Sequence, residues 1–203
     1  GDRMDVARVF SAIRRETVAS PGSGDGHIYA HMDDTNIRKR GKKVFGTSWQ
    51  RDPLGPPFHT NFIWGQRFIQ ISLSLFGGEG PSQSRAVPVD FHHCPPVSKP
   101  KKGSPDEDWK VYKETRKKAK LSTVGAERVK LLRKNLDGEG CEKRVLVLSV
   151  DGSYTNETVL KRLPKNVTLI GRIRKDCKLN GLPEQKKSSA GRNLVYGPAL
   201  PTP

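Results

Sequence analysis

The sequence predicts an α/β domain in which a mixed sheet is flanked by helices. Three observations carry this. Two short apolar runs, His27-Ile28-Tyr29-Ala30-His31-Met32-Asp33-Asp34 and Val145-Leu146-Val147-Leu148-Ser149-Val150-Asp151, have the length of buried strands, and each stops at aspartate. A third run alternates strictly, with Ile69, Ile71, Leu73 and Leu75 on one face and Gln70, Ser72 and Ser74 on the other. Between these runs lie segments with helix-start chemistry and helical spacing of apolar residues.

Taken in order, residues 4 to 19 predict a short amphipathic helix whose stripe is Val6, Val9, Phe10 and Ile13. Pro21-Gly22-Ser23-Gly24-Asp25-Gly26 breaks the chain before the first strand. Residues 36 to 61 are basic and then Gly/Pro-rich, and predict an extended loop. The alternating strand follows and is turned by Gly77-Gly78-Glu79-Gly80-Pro81. Ala86-Val87-Pro88-Val89-Asp90-Phe91 predicts a further strand, which Pro88 confines to an edge or a bulge. Ser104-Pro105-Asp106-Glu107-Asp108 starts a helix with a cap, a proline at the first position and acids at the positive end of the dipole. Ser122 is placed to cap a second helix, carrying Val129, Leu132 and Leu136 and ended by Asp137-Gly138-Glu139-Gly140. After the strand ending at Asp151 come a short helix, Asn156 to Leu163, and a last strand, Val167 to Ile173. The tail from Lys178 onward is polar and is expected to be unpacked.

Three strands, helices, a strand, a helix and a strand is the ribonuclease H-like order, in which a right-handed crossover sets the fourth strand parallel to the first. The expected organisation is an N-terminal helix and linker over residues 1–26, a ribonuclease H-like core over 27–178 and a polar tail or linker over 179–203. Both ends read as cuts through a longer protein: the chain begins at Gly1 without an initiator, and no helix or strand signal precedes Pro201-Thr202-Pro203. The fold is therefore expected to be C-terminally incomplete.

Lys and Arg number 37 against 21 Asp and Glu, a formal charge of +16 with a pI near 10.0. A surplus of this size calls for a polyanionic partner. No apolar run approaches the roughly 18 residues of a spanning helix, and no signal-peptide pattern is present, so nucleic acid is preferred to membrane. Cys94, Cys141 and Cys177 are scattered and form no C-x-x-C, which suits reduced thiols in the cytoplasm.

If the first and fourth strands are parallel neighbours, Asp34 and Asp151 emerge side by side at one sheet edge. Carboxylates that close repel unless a cation lies between them, and a hard divalent ion such as magnesium is the natural partner. In the pleat, Ile28, Ala30, Met32 and Asp34 share one face, and Tyr29, His31 and Asp33 the other. Asp34 comes last, where the strand can lift its carboxylate out of the core, so Asp34 is the preferred ligand and Asp33 its supporting neighbour. The competing reading makes each aspartate a turn former or helix cap, which Asp151-Gly152-Ser153 also fits. Arg38, Lys39, Arg40, Lys42 and Lys43 follow the first aspartate and are expected to hold phosphates; Arg172, Arg174 and Lys175 leave the last strand on the side expected to be the same. Trp49 and Trp64 have rings that could stack on bases, but burial is the preferred reading. His27 and His31 share a face but stand about 13 Å apart and cannot chelate one ion. His92-His93-Cys94 lacks a second pair at zinc spacing and is read as structural. Walker, nucleophile-elbow and Rossmann motifs are absent.

Asp33-Asp34-Thr35 with Arg38-Lys39-Arg40-Gly41-Lys42, Arg51-Asp52-Pro53-Leu54-Gly55, Trp64-Gly65-Gln66-Arg67-Phe68, Val150-Asp151-Gly152-Ser153-Tyr154-Thr155-Asn156 and Leu169-Ile170-Gly171-Arg172-Ile173-Arg174-Lys175-Asp176 together resemble the DDE-type transposases of bacterial insertion sequences, over roughly residues 27 to 178. The resemblance implies a ribonuclease H-like DDE endonuclease domain, two magnesium (or manganese) ions, and hydrolysis followed by strand transfer in DNA transposition and recombination. It also implies double-stranded DNA partners, both transposon ends and target, and a homodimer in the active complex. Asp34 and Asp151 match the first two acids of the triad. The third, a glutamate on a helix after the last strand, has no match: Glu184 lies in a polar Pro/Lys context without helical pattern. A fragment that binds DNA or metal weakly without cutting is thus expected. Two other classes stay open, a catalytically dead DNA-binding remnant and a basic RNA-binding protein whose aspartates are turn residues.

Overall fold

The computed structural model describes residues 5–24, 26–52, 54–56, 58–59, 61–77, 83–183 and 195–202. The chain forms two units, Gly1–Gly171 and Arg172–Pro203.

Among its described residues the first unit has the helices and strands α1 Val6–Ala19, β1 Ile28–Arg38, β2 Ser48–Arg51, β3 Phe62–Phe76, β4 Ser84–His93, α2 Asp106–Lys118, α3 Leu121–Gly138, β5 Leu146–Val150, α4 Glu157–Leu160 and β6 Val167–Gly171, with a short 3-10 turn at Pro21–Ser23. The fold is mixed α/β. Strand order across the sheet is β2-β3-β1-β5-β6, with β4 also paired to β3. β1 runs antiparallel to β3 and parallel to β5, and β6 is parallel to β5. β2 and β4 pair with successive stretches of β3, Phe62–Gly65 and Phe68–Phe76.

Alternation in β1 buries Ile28, Ala30 and Met32 and exposes Tyr29, His31 and Asp33. The buried set packs with Ile69, Ile71 and Leu73 of β3, Leu146 and Leu148 of β5, and Val129, Leu132 and Leu136 of α3. A helix stripe at i, i+3 and i+7 has thus found three strands of matching parity. Pro88 sits as expected: β4 pairs only with β3, and its register shifts between Asp90 and Pro88, leaving the buried Val89 as the extra residue.

Several boundaries differ from the sequence expectation. β1 does not stop at Asp34 but runs four residues further to Arg38, because β3 extends back to Phe62 and supplies partners for Thr35 to Arg38. The expected loop over 36–61 therefore contains β2, a strand too short for its alternation to register as a pattern; Trp49 opposes Trp64 across the pair. Trp49 is 67% exposed, against the expectation of burial. α1 buries Arg14 and Thr17, while Val6 and Val9 of its apolar stripe stay largely exposed. Arg14 is held by Glu139, just past α3, at 2.7 Å. Residue 4 lies outside the described residues. α2 begins at Asp106 with Pro105 in the cap position, and α3 begins at Leu121 with Ser122 already in its first turn. β6 ends at Gly171, two residues before Ile173.

In the second unit the tail, expected to be unpacked, closes on itself where described: Gly181 N–H donates to the Pro198 carbonyl at 2.8 Å and Leu200 N–H to that of Leu179 at 2.9 Å. Much of the Gly77–Pro81 turn and all of 184–194 lie outside the described residues. No helix among those described is long and apolar enough to cross a membrane.

Gly65 joins three strands, opposite Arg38 in β1 and Ser48 in β2. A Cβ there would stand 2.6 Å from the Ile37 carbonyl oxygen. Backbone cannot swing aside as a side chain can, so Gly65→Ala is expected to cost about 1–3 kcal/mol through overpacking. A denaturant melt checks this.

Candidate functional site

The parallel register of β1 and β5 sets the site. Met32 lies level with Val150, and both are buried on the same face. One residue further, Asp33 and Asp151 stand at the same level of the two strands, and alternation turns Asp33 to the open face. Asp151 is fixed by a local turn: its Oδ1 accepts from the Ser153 N–H at 2.9 Å and its Oδ2 from the Ser153 hydroxyl at 3.1 Å. Asp33 Oδ1 accepts from the Asp34 N–H at 2.8 Å.

The Asp33 carboxyl is pushed above its ordinary range. Partial withdrawal from water is the main cause, and the charges of Asp151 and then Asp34 add to it, against the opposing Asp34 N–H and Arg67. A raised carboxyl means that the folded state binds the proton more tightly than the unfolded chain. This group therefore costs stability increasingly as pH rises from the ordinary aspartate range through its folded value. Asp33→Asn is accordingly expected to raise the melting temperature slightly at neutral pH and not at pH 3, which paired thermal melts would show.

Asp34 takes the other face. It follows Ile28, Ala30 and Met32 and so points toward the helices, where its charge is met. Arg67 binds Oδ2 twice, through Nε at 2.8 Å and Nη2 at 2.7 Å, and the Tyr154 hydroxyl donates to Oδ1 at 3.0 Å. The carboxylate is thus not lifted clear of the core, as its place in the run had suggested; continuation of β1 to Arg38 keeps it within the sheet. Two carboxylate oxygens offer about four acceptor sites, so Oδ2 is filled and Oδ1 keeps one. Tyr154 is 1% exposed, and burial together with the Asp34 charge drives its phenol far up, leaving it a donor at every working pH. It fits because α3 presents Gly125 to it: a Cβ there would lie 2.9 Å from the ring. Tyr154→Phe keeps the ring and removes one bond to a charged acceptor. The expected loss is about 1.5–3 kcal/mol in a denaturant melt.

Asp33, Asp34 and Asp151 border a common pair of clefts. One, of about 540 Å³, is also lined by His31, Gln70 and Ser72. The other, of about 930 Å³, is also lined by Arg38, Arg51 and Arg67. Among the described residues no group of three or more His, Cys, Asp or Glu is already gathered for a metal. The donor set nevertheless suits a hard cation: Asp151 is open to solvent, and Asp34 Oδ1 has acceptor capacity left. The bonds from Tyr154 and Arg67 to Asp34 are of the kind that orient a ligating carboxylate.

The basic residues divide. Arg38 lines the larger cleft and pairs with Asp52 at 2.6 Å. Lys39, Arg40, Lys42 and Lys43 lie in the loop after β1 and line neither cleft. Arg172, Arg174 and Lys175 belong to the second unit, where Arg174 pairs with Asp176 at 2.7 Å. His93 stacks on Phe68 with centroids 4.8 Å apart, in line with a structural role. Glu184 lies outside the described residues.

Arg67 and Tyr154 were not singled out from sequence, though a signal existed for the first. Arg67 continues the parity of Ile69, Ile71 and Leu73, as Asp34 continues that of Ile28, Ala30 and Met32. Two opposite charges that each extend a buried face, on strands that pair, should meet. Compared with protein-family models, with curated proteins and with solved structures, the chain matches none.

Proposed function

We infer that this chain is the core of a DNA transposase of the DDE type, acting by metal-dependent strand cleavage and transfer, with a ribonuclease H-like fold. The observation that carries the reading is that Asp34, on β1, and Asp151, directly after the parallel neighbour β5, border one cleft in a chain of charge +16. Topology supports it: β1 lies between antiparallel β3 and parallel β5, the neighbours that the ribonuclease H-like arrangement requires. The motif resemblance falls on these same residues.

Asp34 and Asp151 would hold a magnesium or manganese ion, with Asp33 deepening the negative potential beside them. A divalent ion so held polarises a phosphodiester and lowers the pKa of its bound water. The chain's own residues supply the rest. Arg67 and Tyr154 fix the Asp34 rotamer, Ser153 fixes Asp151, and Arg38 and Arg51 offer positive charge to a phosphate backbone in the larger cleft.

The test is nicking of supercoiled plasmid by the full-length protein, with magnesium or manganese and then with EDTA. Ion-dependent nicking is the expected result. Duplex binding without nicking under any metal would favour a catalytically inactive DNA-binding protein, and preference for RNA over duplex DNA would favour an RNA-binding one; either result overturns the reading.

A further inference from the structure

A third cleft, of about 400 Å³, opens behind β2, between that strand and the junction of α2 and α3. Its walls include Arg51 and Arg67 from the sheet, Arg116 from α2, Lys120 from the link to α3, and the rings of Trp49 and Tyr112. No aspartate or glutamate lines it. Four cations thus converge on a small volume. Arg67 is committed to Asp34, but among the described residues Arg51, Arg116 and Lys120 have no ion-pair partner. Like charges left facing one another raise the potential of the cleft and favour an anion between them. The aromatic component is equally specific. Trp49 touches Trp64 only edge-to-face, with centroids 5.6 Å apart, and remains 67% exposed, so ring surface is left free for a flat partner. Unpaired cations beside an exposed aromatic face are what a single-stranded nucleotide requires: charge for the phosphodiester, a stacking surface for the base. The volume lies within the range of about 300–1,000 Å³ usual for ligand pockets. Arg51 and Arg67 also line the 930 Å³ carboxylate cleft, so the two clefts share a wall.

We propose that this cleft is a nucleotide-binding subsite that takes one unpaired nucleotide of the DNA strand passing the carboxylate cleft, with Arg51, Arg116 and Lys120 on its phosphate and Trp49 against its base. The proposal rests on reading the carboxylate cleft as a DNA site. It adds residues outside the basic run Arg38 to Lys43, and it gives Arg51 a position facing both clefts. Arg116, on α2, and Lys120, in the link between α2 and α3, are both exposed, so removing their charges leaves the core untouched.

The experiment titrates the 203-residue chain with a short 5′-phosphorylated oligothymidylate and follows tryptophan fluorescence over a series of salt concentrations. Saturable quenching is expected, reduced in Trp49→Phe. The double variant Arg116→Ala/Lys120→Ala is expected to bind about tenfold more weakly, with a salt slope shallower by about 1 to 1.5 for the two lost phosphate contacts. Lys42→Ala/Lys43→Ala, altered on the exposed loop, is expected to change affinity far less. Absence of quenching, wild-type affinity and slope in the Arg116/Lys120 variant, or equal weakening by both double variants would each overturn the subsite. Absence of saturable quenching in the parent chain with intact metal-dependent cleavage would refute this proposal alone, and cleavage retained by Asp151→Asn would refute the catalytic reading alone.

Discussion

Asp151→Asn in the full-length protein is expected to abolish DNA cleavage, by about 10³-fold or more, while duplex DNA binding stays within a factor of two or so. The asparagine is nearly isosteric, and its side-chain oxygen can still accept from the Ser153 N–H that fixes Asp151 at 2.9 Å. The turn after β5 therefore survives, and what is lost is one negative charge at the edge. A thousandfold loss corresponds to about 4 kcal/mol of transition-state stabilisation, a reasonable toll for removing a carboxylate that holds a catalytic ion. Duplex binding should be spared because it draws on the chain's net charge of +16, to which this substitution adds one more positive unit. A nicking assay paired with a gel-shift titration reads both quantities. Cleavage that persists in the variant would sink the assignment of Asp151.

Arg133→Ala is expected to have the largest effect on stability. The side chain is 2% exposed and lies between the last turns of α3 and the approach to β5. Nε donates to Asp137 Oδ1 at 2.8 Å, Nη1 to the Arg144 carbonyl at 2.9 Å and Nη2 to the Cys141 carbonyl at 2.8 Å. It thus closes the helix C-terminus and pins the 139–145 connection that delivers β5 to the sheet. Truncation leaves the Arg144 and Cys141 carbonyls without their donor in a poorly solvated place, while the Asp137 carboxylate, 44% exposed, turns to water, at a cost of about 3–5 kcal/mol. For a chain of this size that is a fall of roughly 6–20 °C in melting temperature. A fall of under 2 °C in a circular-dichroism melt would show that water or neighbouring donors replace the guanidinium.

The strands that form the centre of the sheet were legible because each obeys a single periodicity. Ile28, Ala30 and Met32 alternate with exposed neighbours, and Ile69, Ile71 and Leu73 alternate with polar Gln70, Ser72 and Ser74, although Ser72 is itself buried. β2 was not legible: four residues, Ser48–Arg51, are held by pairing with β3 rather than by a pattern of their own. α1 misled in a different way. Its apolar stripe suggested the buried face, yet Arg14 is buried because Glu139, more than a hundred residues later, meets it there. No local rule contains that partner. At the candidate site, the proximity of the two strand ends followed from topology, but the side chains did not. Which way Asp34 points, and that Arg67 and Tyr154 occupy it, depends on how far β1 continues and on the gap that Gly125 leaves in α3.

Asp34 and Asp151 are proposed to hold a divalent ion between them. Manganese titration of the 203-residue chain and of Asp34→Asn and Asp151→Asn, followed by the loss of the free-ion paramagnetic resonance signal, tests this without requiring cleavage. Saturable binding that weakens at least tenfold in each variant is expected. Manganese binding of wild-type strength in both variants, or none in the parent chain, would rule the site out.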